Sequence, residues 1–179
     1  MFRSYFPSSA LLGAVLAAPG LAAPASANAF YDAAICKPPY TMDSGTALYE
    51  AAEKLAKPDT SMLTAYVYTL PEELGQDGFK SRQVVFAGTA TGVLIEGLRA
   101  DALAEHYQLT KERSTVFGTS SKGYARALPP EQQPQSDMGT VSIVARESPS
   151  LPGKTLLACE FVSKEDQAAL DAFGKSGGK

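Results

Sequence analysis

The chain contains two cysteines, Cys36 and Cys159, separated by most of its length. A bond between them would close more than a hundred residues into one loop. It would also exclude every fold that holds these two points apart, since paired cysteines need Cα atoms within roughly 7 Å of each other. Pairing depends on compartment, because disulfides persist in oxidising surroundings and are rare in the cytosol. The destination of the chain therefore decides how strongly this feature constrains it.

The first thirty residues supply a destination. Arg3 gives a short positive segment, residues 10–18 form an apolar run, and Pro19-Gly20 interrupts it. The small-residue stretch that follows offers two cleavage motifs, Ala25-Ser26-Ala27 and Ala27-Asn28-Ala29. This is the layout of a cleavable secretory signal peptide. Residues 1–29 are read as the leader, with cleavage after Ala29 preferred to cleavage after Ala27, and 30–179 as one globular domain. A membrane span needs roughly 20 consecutive apolar residues, and this run falls well short of that. The expectation is an exported chain with no membrane span after cleavage, in the bacterial periplasm or the extracellular medium. There, Cys36 and Cys159 should form a disulfide, whose loop-closure entropy is roughly 5 kcal/mol, less any strain.

Composition narrows the function. Sixteen Lys plus Arg stand against nineteen Asp plus Glu, a net charge of −3, and losing Arg3 with the leader makes the remainder slightly more acidic. No basic run interleaved with aromatic residues is present, so a nucleic-acid partner is not expected. Two cysteines and one histidine cannot complete a four-ligand zinc site from Cys and His alone. Neither a metal nor a cofactor is implied.

Periodicity gives the fold class. Leu48, Ala51, Ala52 and Leu55 recur at helical spacing before Lys57-Pro58-Asp59. Residues 63–70 alternate as a strand with Tyr66 and Tyr68 on one face, residues 71–78 read as a loop, and 82–87 and 91–96 as a hairpin or bent strand about Gly88-Thr89-Ala90. A second helix is expected where Leu98, Ala102, Leu103, Tyr107 and Leu109 share a side opposite Asp101, Glu105 and Gln108. Strands at 114–119 and 124–128 should flank a turn at 120–123, and 141–145 and 155–162 should pair. A proline-rich mobile loop is expected at 129–137. A final helix should begin at Ser163, with fraying from 174. The class is α+β, an antiparallel sheet of about five to seven strands with helices packed on one face.

Candidate chemistry is sparse. His106 falls within the apolar stripe of the second helix, between Ala102 and Tyr107; it could act as a general base with Asp101, Glu96 or a serine, or as a metal or haem ligand, or it could be a neutral ring hydrogen-bonded at the edge of the core. Asp101 and Glu105 at i, i+4 read as a solvated helix face. The stretch from Gly88 to Gly92 lacks the Lys-Ser or Lys-Thr of a phosphate loop, and the stretch from Gly118 to Gly123 matches neither serine-nucleophile motif; both read as turns. Tyr66, Tyr68 and Tyr107, together with His106, are the candidate ligand-binding side chains, tyrosine pairing a large ring with a polar tip. The expectation is an exported noncatalytic module that binds a small molecule, an envelope component or a protein. The alternatives are a small envelope hydrolase using His106, and a secreted inhibitor presenting the 129–137 loop to a target enzyme.

Overall fold

The computed structural model describes residues 27–62, 65–112, 122–134 and 137–176. Its elements are, in order, α1 (Ala27–Ala34), α2 (Met42–Leu55), β1 (Pro58–Asp59), β2 (Ala65–Gln76), β3 (Phe79–Ala87), β4 (Ala90–Glu96), α3 (Ala100–Tyr107), β5 (Thr110–Lys111), β6 (Lys122–Ala127), β7 (Gly139–Glu147), β8 (Lys154–Ser163) and α4 (Lys164–Ser176). The strands form one antiparallel sheet in the order β1-β2-β3-β4-β8-β7-β6-β5. Two four-stranded meanders thus lie side by side, joined along β4 and β8. The sheet has eight strands rather than five to seven. The strands at its two edges, β1 and β5, are two residues each, too short to leave a periodic signal. The expected strand at 114–119 lies outside the described residues, as do the leader's residues 1–26.

Residues 71–78 differ from the expected loop. Strand β2 continues through Pro71 to Gln76 with a register shift between Thr69 and Leu74, a bulge that admits a proline with no N–H to give. The turn is Asp77-Gly78 alone, with φ of 57° and 86°, the two-residue hairpin geometry that an Asp-Gly pair favours.

Alternation across the ladder builds the core. One cross-strand row runs Tyr66, Phe86, Thr91, Cys159, Ile143, Arg126, and the next runs Tyr68, Val84, Val93, Leu157, Ala145, Tyr124. Residues of these rows share a buried cluster with Phe30, Tyr31, Ala34 and Ile35 of α1 and its end, Ala52 of α2, and Leu103 and Ala104 of α3. The opposite face carries a smaller cluster, Ala65, Val67, Val85, Leu94 and Leu151. It also carries a half-buried clamp in which Arg146 binds Glu112 and Glu160, each through two hydrogen-bonded oxygens. Burial pulls the Arg146 pKa down, but the two carboxylates hold it above its ordinary value.

Helix ends fix where the site lies. A reciprocal capping box joins Thr41 and Ser44 at the start of α2. Helix α3 begins at Ala100, whose N–H donates to Glu147 Oε1 at 2.8 Å, and it ends at Gln108 in the left-handed region. Leu98 therefore precedes the helix and is exposed, and the buried stripe is Ala100, Leu103 and Ala104 rather than one through Leu98 and Ala102. Cys36, with φ 58°, turns the chain just after α1 and bonds to Cys159 of β8, with Cα atoms 5.0 Å apart. The disulfide expected from the sequence is formed, and it ties the end of α1 to a central strand.

Candidate functional site

The turn that Cys36 makes sets Lys37 at the rim of a groove. Its floor is Ile35, Cys36, Leu128 and Ile143, its wall is Tyr107, and Pro129 and Gln132 close the far side; Arg126 lines it from β6. The volume is about 250 Å³, at the small end for a ligand site. Arg126 stands opposite Ile143 in the ladder, with Cys159 next in the row, so a cation, a branched apolar chain and the disulfide follow one another across the sheet.

Arg126 has one fixed bond. Its Nε donates to the Tyr107 carbonyl at 3.0 Å, satisfying an oxygen at the end of α3 that has no intrahelical partner. The two Nη groups have no partner among the described residues, and neither does Lys37 Nζ. No carboxylate among the described residues lines the groove.

The wall is held by a chain of hydrogen bonds. Tyr107 Oη donates to Asp77 Oδ2 at 3.1 Å and has only one proton, so the 3.2 Å contact with Tyr31 Oη must be a bond donated by Tyr31. His106 Nε2 meets the same Asp77 oxygen at 3.1 Å. One carboxylate in the β2–β3 turn thus joins α1 and α3 to the hairpin, while Phe79 and Tyr107 both pack edge-on with the His106 ring and lie tilted against each other. Burial and the Tyr31 hydroxyl, then Asp77, push the Tyr107 pKa up. Burial also raises that of Tyr31. Both remain neutral phenols at physiological pH, which keeps the order of donors fixed.

The expected ligand tyrosines do not gather in one place. Tyr107 lines the groove. His106 lies beside it, bonded to Asp77, and is exposed instead of sitting on the core stripe. Tyr66 and Tyr68 belong to another cluster, edge-on to Tyr49 of α2 at 5.7 and 5.8 Å between ring centroids. Beside that cluster is a separate concavity of about 180 Å³ lined by Tyr40, Tyr49, Phe86 and Met42 among others. Tyr68 itself is fully buried, and its hydroxyl has no partner within ordinary hydrogen-bond geometry among the described residues.

The carboxylates expected near His106 are elsewhere. Asp101 is bound by Lys122 Nζ at 2.6 Å and Tyr124 Oη at 2.5 Å, and both bonds, the Lys122 one first, hold its pKa below the usual carboxylate range. No hydroxyl of Ser or Thr is bonded to His106 among the described residues, so the His106–Asp77 pair has no nucleophile attached to it.

Sequence reasoning missed Lys37, Arg126, Asp77 and Tyr31. Asp77 had a signal, because an Asp-Gly pair between β-forming runs marks a hairpin tip. The other three had none, since isolated cations and a tyrosine in a leader-proximal segment acquire their meaning only when α1, α3 and β6 meet. Among the described residues no helix is long and apolar enough to cross a membrane, and no cluster of three or more metal-ligating side chains is found. Comparison with protein-family models, with curated proteins and with solved structures found no match, so function is argued from the site alone.

Proposed function

We propose that the protein is an exported, noncatalytic binding module, and that the groove between α1, the end of α3 and the β6–β7 strands is where it holds its ligand. The observation that carries this reading is the rim of the groove. A half-buried guanidinium whose Nη groups have no partner among the described residues lies against an apolar floor, with the exposed ammonium of Lys37 at the same groove. A guanidinium so placed is paired in most proteins, because leaving it partly desolvated and alone is unfavourable. The disulfide fits delivery to an oxidising compartment, the periplasm or the medium. Pro129 and Gln132, in the segment read as a candidate inhibitory loop, form one side of the groove, which ties that segment to the same binding site.

Native mass spectrometry of the protein taken from its own exported fraction tests the reading. Wild-type protein should carry an additional small-molecule mass that is lost on denaturation. Gln132→Trp, which fills the mouth from an exposed position, should fold normally and lack that mass. A bare wild-type protein, or a mass retained by Gln132→Trp, contradicts the proposal.

A further inference from the structure

Resting on the groove reading, we infer that the ligand is an anionic amphiphile of modest size, a carboxylate- or phosphate-headed molecule whose head is held by Arg126 and Lys37 and whose apolar body lies on Ile35, Cys36 and Ile143. Three observations place the charge. Among the described residues the Nη groups of Arg126 have no partner, while its Nε is held by the Tyr107 carbonyl, so the guanidinium is anchored on one edge and presents its other donors as a fork. That geometry matches the two oxygens of a carboxylate or phosphate. Lys37 follows directly on Cys36, whose left-handed turn and disulfide fix the backbone beneath it. Among the described residues the groove is lined by two cations and no carboxylate, in a chain whose net charge is −3, so a cationic ligand is disfavoured locally.

The floor places the rest of the molecule. Ile35, Cys36, Leu128 and Ile143 are all buried residues of the main core whose surfaces form the bottom of the groove. They offer no side-chain hydroxyl, amide or charge to a polar body. A short alkyl chain or ring laid on these four side chains loses no hydrogen bond, and the polar side chains of the lining, Arg126, Lys37 and Gln132, are left for the head. The small volume limits that body to a chain of medium length.

Calorimetric titration with octanoate, octyl phosphate, octanol and octyltrimethylammonium separates head from body. Octanoate or octyl phosphate should bind, and the better of the two identifies the source of the anion. Octanol and the ammonium should bind at least about tenfold more weakly, as expected for losing charge-assisted bonds. Lys37→Gln, which breaks no contact within the protein, and Arg126→Lys, which keeps the charge but loses the fork, should each weaken the anion about tenfold and leave octanol unchanged. Gln132→Trp should abolish all binding. Octanol binding as tightly as the anions, with both variants silent, overturns the anionic class but leaves the groove as a site. No binding by any of the four probes overturns the class, and if the exported protein also carries no small-molecule mass the groove reading falls with it.

Discussion

At the scale of single residues, burial and hydrogen bonding decide which side chains are available for function. Tyr68 is packed against Tyr49 and Phe86, its hydroxyl with no partner within ordinary hydrogen-bond geometry among the described residues, and burial, ahead of the neighbouring Tyr49 hydroxyl, pushes its pKa up. An unsatisfied buried hydroxyl is a liability of about 1 kcal/mol or more, so Tyr68→Phe should unfold at higher urea with a gain of about 1 kcal/mol; a loss would mean the hydroxyl has a partner in solution. Asp101 makes the opposite case. Its folded pKa is depressed, so the unfolded chain binds the extra proton as pH falls, and the stabilisation from Lys122 and Tyr124 is present above the ordinary carboxylate pKa of roughly 4 and lost as pH drops through the folded value. The melting-temperature advantage of wild type over Asp101→Asn should therefore close below about pH 4, and a gap that persists or widens there would contradict the assignment. His106 shows why residue-level reading from sequence fell short. A stripe drawn through Leu98 and Ala102 includes it, but the helix begins at Ala100 with Glu147 at its N-terminus, and that start turns His106 outward toward Asp77.

At the scale of elements, strands were legible wherever one face was buried, since period-2 burial writes itself into the sequence. Strands β3, β4, β7 and β8 fall close to their expected positions. The full length of β2 was hidden because Pro71 and the acidic pair Glu72-Glu73 read as punctuation, whereas the bulge absorbs them and Leu74 returns to the core. The seam between the two meanders depends on Gly92. A Cβ there would sit 2.6 Å from the Leu157 carbonyl oxygen and 2.7 Å from the Ala158 Cβ, so neither backbone nor side chain can yield without moving β4 from β8. Gly92→Ala should cost about 1–3 kcal/mol by overpacking, measured by chemical denaturation. An unchanged midpoint would mean the two strands are not in this register.

For the whole molecule, the Cys36–Cys159 bond is what makes the groove. It spans 123 positions of sequence and holds the exit of α1 over the centre of the sheet, with Lys37 next in the chain. This link was readable from two cysteines and the expectation of an export leader. The groove it creates was not, because its parts come from four separated stretches of chain and none carries a motif. Replacing both cysteines with serine should lower stability by about 2–5 kcal/mol and weaken octanoate binding along with it, since the rim cation loses its anchor; calorimetry on the double variant, under conditions where it remains folded, reads both, and unchanged affinity would show that the bond only stabilises. The most direct test of the account is amide chemical-shift mapping of the mature protein with octanoate. The account predicts perturbations confined to Ile35–Lys37, Tyr107, Arg126–Leu128, Gln132 and Ile143. Perturbations centred instead on Tyr40, Met42 and Tyr49, or none at saturating ligand, would contradict it.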